Sequence, residues 1–168
     1  MAAEYTDLAE RIVDELLAAD PYLAADAGDH RYDHRLPDLS PDGVVAQVRM
    51  LRDASAALSG VDTDGLSLAD RVDHELLLSL VERKLFLLTE VREHEWNPLV
   101  HNPGSLLFAL LARPFAPAEQ RLEALQARLA AIPEALAIAR SVLLDCPRIH
   151  LETAAGQFRG TAALVRDE

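Results

Sequence analysis

The chain has 168 residues, a length that fits one domain with a single sizeable core. Half of its residues are apolar and only 5% are aromatic, which favours helices packed on helices over a β-sandwich. Its 16 basic and 28 acidic residues give a net charge of −12, and the basic residues are interleaved with acidic ones rather than gathered in a patch. This charge pattern excludes nucleic acid and anionic membrane surfaces as partners.

Cys146 is the single cysteine, so an intrachain disulfide and a zinc site built from thiolates are both excluded within one copy. We expect Cys146 to pack as a small apolar residue rather than act as a nucleophile. The first residues lack the basic and apolar segments of a secretory signal, and no apolar run approaches the roughly 18 residues of a membrane span. The sequence therefore predicts a cytoplasmic protein without a membrane partner.

The first part of the chain predicts three helices, which are identified by apolar residues about one turn apart and by their end signals. Pro21 favours the first turn of the second helix and Gly28 ends it. Ser40 and Pro41 mark the start of the third, which ends at Gly60. The three helices are expected at residues 5–19, 21–27 and 41–59, with a structured loop at 29–40.

The longest predicted helix runs from Leu68 to about Arg92, with Ser67 as its N-cap. Its apolar residues cover much of the helix circumference, which implies burial against more than one neighbour. We therefore expect it to be the central helix of the fold. The apolar positions are Leu68, Val72, Leu76, Leu77, Leu80, Val81, Leu85, Leu87, Leu88 and Val91.

The second half begins with an irregular segment around Trp96, because two Asn-Pro steps and a Pro-Gly step break any helix there. Further helices are expected at 106–112 after a Ser105 cap, from Pro117 to about 132, from Pro133 through 143, and from 151 onward. The whole pattern predicts an all-α fold, a multi-helix array of about six to eight helices around one long central helix, without a sheet. We expect residues 1–168 to form a single helical domain. The helix-like pattern continues to Glu168 without a stop signal, so we expect the N-terminal part of a longer protein.

Four histidines are weak candidates for metal ligands. His30 and His34 are four residues apart, but the segment runs into Leu36-Pro37, so a polar loop is favoured over a metal site. His94 and His101 with Glu95 form a second weak candidate, and here too we favour histidines that hydrogen-bond the backbone. The zincin pattern H-E-x-x-H is incomplete at both His-Glu pairs of the sequence.

Other signatures of catalysis are missing from the sequence. The acidic residues between Asp70 and Glu75 are explained by the favourable interaction of carboxylates with a helix N-terminus. The sequence contains no G-x-S-x-G elbow and no glycine-rich phosphate loop. It therefore assigns no catalytic residue and no metal ligand with certainty.

Several stretches together resemble the opening of the bacterial family known as domain of unknown function 885. Their order and spacing fit that family, and the likeness covers nearly the whole chain. The stretches are residues 21–40, beginning Pro-Tyr-Leu-Ala-Ala-Asp, residues 70–77, Asp-Arg-Val-Asp-His-Glu-Leu-Leu, residues 96–100, Trp-Asn-Pro-Leu-Val, and residues 128–136, Arg-Leu-Ala-Ala-Ile-Pro-Glu-Ala-Leu.

The resemblance implies a large, mostly helical protein that is similar in architecture to zinc carboxypeptidases of the gluzincin type. In such a protein the H-E-x-x-x-G-H-like zinc segment lies far downstream, and no position of this chain matches it. The resemblance thus implies no cofactor in this chain, zinc in the full-length parent, and a helical wall beside a substrate cleft. Irregular loops are expected to face that cleft, so the candidate residues are Asp29, Tyr32, Asp33, Trp96, Asn97 and Asn102.

Three functional hypotheses follow. The first is the N-terminal helical portion of a zinc-dependent peptidase or hydrolase, inactive alone, whose partners are the remainder of the parent protein and a peptide or small-molecule substrate. The second is a standalone helical interaction module without catalytic activity, which binds a partner through exposed apolar helix faces. The third is a small metal- or ligand-binding enzyme that uses His30, His34, His94 or His101.

Overall fold

A computed structural model of the protein describes residues 2–167, and it confirms the predicted all-α fold, since no strand occurs in that range. Every helix within it is too short or too polar to cross a bilayer. Short 3-10 turns and one π-helical turn connect the α-helices. The α-helices are α1 (Ala2–Ala19), α2 (Pro21–Ala27), α3 (Pro41–Ser59), α4 (Leu68–Phe86), α5 (Glu93–Trp96), α6 (Gly104–Ala112), α7 (Ala118–Val142) and α8 (Arg148–Asp167).

The described chain divides into two compact units. The first unit contains residues 2–16 and 42–92, and the second contains residues 17–41 and 93–167. The first boundary falls within α1, so that helix contributes to both units. The expectation of a single domain stays a prediction.

The first unit has a core formed by one face each of α1, α3 and α4. Ile12, Leu58 and Val81 are fully buried there, one from each helix. His74 is also buried, and its Nε2 lies 2.9 Å from the carbonyl oxygen of Leu58. The Tyr5 ring packs 6.0 Å from the His74 ring, so these two aromatic residues join α1 and α4.

Helix α4 packs against two neighbours, α1 through Tyr5 and α3 through Leu58, but its burial is confined to one face rather than spread over much of its circumference. The buried residues of α4 are His74, Leu77 and Val81, which lie on one face. On the other side, Leu68 is 72% exposed and Leu76 is 65% exposed. Apolar periodicity reveals which residues can be buried, but it cannot tell which of two adjacent apolar faces has a neighbour.

The second unit has a core between α6 and α7. Leu107 and Leu110 of α6 pack with Leu125 of α7, and partly buried residues such as Phe115 surround them. Helix α6 also contacts α8 and α2, and the 3-10 turn Pro98–His101 contacts α7 and α8. This turn therefore lies at the centre of the second unit.

Several helix ends agree with the sequence prediction, and two positions, Ser105 and Pro133, do not. Gly28 adopts a left-handed conformation (φ 78°) and ends α2 as predicted, because glycine has no Cβ to oppose it. Ser105 is not the cap of α6, since the helix starts at Gly104 and the Asn102 side chain accepts the Gly104 N–H. Pro133 lies inside α7 rather than at the start of a new helix. Helix α8 continues through both of its glycines, Gly156 and Gly160.

Candidate functional site

The second unit contains a cleft of about 350 Å³, a size near the lower end of ligand pockets in proteins. We call it the α7 cleft, because α7 supplies much of its wall. Most of its lining is aliphatic, with a small number of polar groups at the edge, as is typical of sites for small molecules and peptides. The lining residues are Tyr22, Leu36, Pro37, Asp38, Leu39, Ser40, Val100, His101, Pro103, Ala131, Ile132, Glu134, Ala135, Leu136 and Ile138.

Two polar side chains in the wall of the α7 cleft are held by backbone carbonyls. The Tyr22 hydroxyl donates to the carbonyl oxygen of Asn102 (2.9 Å), and burial raises the pKa of Tyr22. His101 is half-buried, and its Nε2 lies 2.8 Å from the carbonyl oxygen of His94. Burial lowers the pKa of His101, so a neutral imidazole that donates from Nε2 fits this contact and leaves Nδ1 as an acceptor.

The edge of the α7 cleft is acidic. Asp38 and Glu134 are its charged lining residues, and both are exposed. In the part of the chain that the structure describes, no Lys or Arg side chain lines the cleft. The cleft thus combines an aliphatic floor with two carboxylates, which favours a neutral or cationic ligand over an anionic one.

A buried arginine holds the loop that borders the α7 cleft. Arg128 on α7 is only 1% exposed, and its Nε donates to the carbonyl oxygen of Arg35 (3.0 Å). Its Nη1 donates to the carbonyl oxygen of Leu106 (2.6 Å), and its Nη2 lies 3.9 Å from Asp33 Oδ1. Burial lowers the pKa of Arg128, while the nearby Asp33 charge opposes that shift. Arg128 therefore connects the loop, α6 and α7.

The α7 cleft brings together stretches that are distant in the sequence. Residues 21–40, 96–100 and 128–136 all contribute to its lining, and each was singled out from the sequence alone. The fourth such stretch, residues 70–77, belongs to the first unit. Most cleft residues on α7 were missed individually, although the stretch at 128–136 was the signal that contained them.

The sequence candidates Asp29, Tyr32 and Asp33 lie in the loop, but none of them lines the α7 cleft. The Asp29 carboxylate caps the turn after it and binds the Arg31 guanidinium at 2.7 Å. The guanidinium groups of Arg31 and Arg35 lie 5.3 and 5.9 Å from the centre of the Tyr32 ring. Asp33 accepts from His30 and lines a second, smaller pocket.

The other three candidates shape the segment between α5 and α6. Trp96 contacts the His150 ring edge to face, with ring centres 5.4 Å apart. Asn97 is buried and caps the turn that follows it, where its Oδ1 accepts from the Leu99 N–H. The Asn102 side chain accepts from Gly104 and from the Thr161 hydroxyl. Their role at a substrate cleft stays a prediction.

The histidine candidates fall in two places. His30 stacks on Phe115 at 3.8 Å, and its Nδ1 lies 2.9 Å from Asp33 Oδ2, with His34 in the same small pocket. His94 is buried beside Glu95, with Nε2 3.6 Å from the carboxylate. Among residues 2–167, no group of three or more His, Cys, Asp or Glu side chains is arranged to hold a metal ion.

The chain is similar to a known protein family in sequence and to a solved structure in fold. A profile of the family described as "Bacterial protein of unknown function (DUF885)" matches residues 21–168. A solved structure from Shewanella oneidensis, described as a "putative lipoprotein of unknown function", is 24% identical and superposes with a TM-score of 0.87. The superposition covers 94% of this chain and 29% of that protein, so the two share a fold over this part. No curated protein is significantly similar in sequence.

Proposed function

The chain belongs to the DUF885 family of bacterial proteins, and we propose that it forms one wall of the substrate-binding cleft in a longer, zinc-dependent hydrolase of the peptidase type. The observation that carries this proposal is the α7 cleft, whose walls come from three of the stretches that resemble the family. The superposition covers only 29% of the solved protein, which supports the proposal that the full-length protein is longer than this chain.

The residues of this chain do not fit a zinc site. Zinc in enzymes needs three protein ligands and an open position, and the described residues include no such group. His101 is the histidine that lines the α7 cleft, and its Nε2 already contacts a backbone carbonyl. In this proposal the metal ligands and the reacting groups belong to the rest of the protein, and this chain alone is inactive.

The contribution of this chain would be to bind and orient the substrate. Aliphatic residues such as Ile132 and Leu136 would hold an apolar side chain, while Asp38 and Glu134 at the edge would favour a neutral or basic residue beside it. Positioning of this kind raises the rate because the reacting bond is held in one orientation. We therefore expect peptides with an apolar residue next to a basic one to be the best substrates.

The test uses the full-length gene product with zinc and a set of peptides of that composition. Ala135→Trp would fill the α7 cleft and should lower kcat/KM at least about tenfold, by loss of substrate positioning. Ala137→Trp, on an exposed position of the same helix outside the cleft, is the matched control. Equal kcat/KM for the two variants, or full-length protein without hydrolytic activity on any peptide, would overturn the proposal.

The second candidate is a helical interaction module without catalysis. Exposed apolar residues on α4 favour it, since Leu68, Val72 and Leu76 lie on one face of that helix. The chain would then bind a partner protein through this face. Light scattering and binding of a hydrophobic dye test this idea, because a stable monomer that binds no dye would exclude it.

A further inference from the structure

The first unit contains an open groove between α1 and α4 with a volume of about 650 Å³. We call it the α1–α4 groove. It belongs to the first unit, and neither its residues nor its shape enters the proposed substrate cleft. Its lining residues are Tyr5, Thr6, Ala9, Glu10, Val13, Asp14, Asp70, Asp73, Leu76, Leu77 and Leu80.

The floor of the α1–α4 groove is apolar and reaches solvent. Val13 on α1 is 41% exposed and Leu76 on α4 is 65% exposed. Leu68 and Val72 lie outside the groove lining but continue the exposed apolar face of α4 from Leu76, since residues four apart lie close together on a helix surface. A continuous apolar strip of this kind marks a surface that another protein segment covers.

The polar groups of the α1–α4 groove indicate which segment that is. Glu10, Asp14, Asp70 and Asp73 line it, and within residues 2–167 no Lys or Arg side chain does. The Tyr5 hydroxyl, on a residue only 5% exposed, is buried without a hydrogen-bond partner among residues 2–167. Buried hydroxyls in proteins nearly always have a protein or water partner, so this one can bond a polar group that enters the groove.

We propose that the α1–α4 groove binds an amphipathic helix with Lys or Arg along the borders of its apolar face, supplied by the same polypeptide outside residues 1–168. This inference rests on one part of the proposed function, namely that the full-length protein extends beyond residues 1–168. Such a helix would pack on Val13 and Leu76 and place its cations beside Glu10 and Asp73. It would add a fourth α-helix to the first unit, whose described α-helices are α1, α3 and α4.

A second copy of the chain fits this groove less well than a basic helix does. Each copy has a net charge of −12, and the described lining of the groove carries four carboxylates and no basic residue. Joining two such surfaces would place like charges together, which costs free energy. Charge complementarity therefore selects a cationic occupant.

The experiment is photo-crosslinking in the full-length gene product, with p-benzoylphenylalanine in place of Leu76. We expect an intramolecular crosslink to a peptide outside residues 1–168 that contains Lys or Arg at helical spacing, identified by mass spectrometry. The same amino acid in place of Val45, which is 68% exposed on α3 and outside the groove, is the control and should not give this crosslink. A crosslink to a second copy or to another protein, the absence of any crosslink, or a gene product that ends at residue 168 would each overturn the proposal.

Two carboxylate variants test the charge argument in the same protein. Glu10→Gln combined with Asp73→Asn should lower the thermal unfolding midpoint of the full-length protein more than Glu82→Gln, an exposed position of α4 outside the groove. Equal effects would contradict a cationic occupant. Neither readout requires hydrolysis, so an inactive protein with the expected crosslink would refute the proposed function and leave this inference standing.

Discussion

Arg128 donates from its Nε to the carbonyl oxygen of Arg35, which lies 93 positions earlier in the sequence, across 3.0 Å. A second bond from Nη1 reaches Leu106 on α6. A single buried side chain thus fixes the loop that borders the α7 cleft, although Arg128 does not line the cleft itself. This makes Arg128 a positioning residue for the candidate site.

Replacement of Arg128 should destabilise the protein strongly. Arg128→Ala leaves the carbonyl groups of Arg35 and Leu106 without their donor and opens a cavity in the second unit, so we expect a loss of about 2–4 kcal/mol in the free energy of unfolding. Urea unfolding monitored by circular dichroism measures this loss. Arg140→Ala, at an exposed position of α7, is the control and should change stability by less than about 0.5 kcal/mol. Equal stability of the two variants would refute the positioning role.

The Tyr22 hydroxyl should contribute one measurable hydrogen bond. Tyr22→Phe removes the donor to Asn102 and leaves the ring in place, so we expect a loss of about 1 kcal/mol. Tyr32→Phe is the matched control, because the contacts found for Tyr32 involve its ring. Thermal unfolding compares the two variants with the parent. A larger effect from Tyr32→Phe than from Tyr22→Phe would contradict the assignment.

His101 should make stability depend on pH. Burial lowers its pKa in the folded protein below the ordinary value of 6.5, so the unfolded chain takes up a proton first as the pH falls. The stabilising contribution is therefore complete above about pH 6.5 and is lost as the pH decreases below that value. His101→Gln should reduce the difference in unfolding free energy between about pH 7.5 and 5.5. An exposed position without a titratable side chain gives the control variant Ala137→Gln, for which we expect the parental pH dependence.

Two glycines should respond to alanine in opposite directions. A Cβ at Gly104 would lie 2.5 Å from the Thr161 hydroxyl, so Gly104→Ala should cost on the order of 1–3 kcal/mol, because either that hydroxyl rotates away and gives up its bond to Asn102 or α6 and α8 move apart. A Cβ at Gly156 on α8 would meet no atom within 4 Å, so Gly156→Ala should stabilise the protein by about 0.5–1 kcal/mol. Denaturant titration measures both changes.

The double variant Gly104→Ala with Thr161→Ala tests whether the close contact between the new Cβ and the Thr161 hydroxyl causes the loss of stability. Removal of the Thr161 hydroxyl should relieve part of the cost of the Cβ at Gly104, since the close contact is gone. Additive losses in the double variant would show that the contact between α6 and α8 is not the reason.

Local features of the fold could be predicted from sequence because their causes are local. Pro41 and Gly28 set helix ends through their own backbone preferences, and Ser67 caps α4 with its own side chain. The capping of α6 was missed because Asn102, two residues before Gly104, supplies the acceptor in place of Ser105. Where alternative acceptor side chains lie close together in sequence, the three-dimensional arrangement decides which of them caps the helix.

Features that depend on distant contacts could not be predicted in the same way. The bond between Arg128 and Arg35 links two residues that are separated in the sequence by four helices, α3 to α6. An arginine in an amphipathic helix ordinarily faces solvent, so the pattern around Arg128 does not predict its burial. The α7 cleft was likewise indicated only by stretches that resemble a family, while its individual residues on α7 were not singled out. Burial on one side of α4 also depends on neighbours rather than on its own pattern.

The hydrogen bonds of Asn102 predict that parts of the second unit unfold together. Its carbonyl accepts from Tyr22 on α2, and its side chain accepts from the Gly104 N–H of α6 and the Thr161 hydroxyl of α8. One residue thus joins three helices that are far apart in the sequence. We expect the slowest-exchanging amide hydrogens of α2, α6 and α8 to exchange with solvent deuterium at a common rate, as one cooperative opening unit.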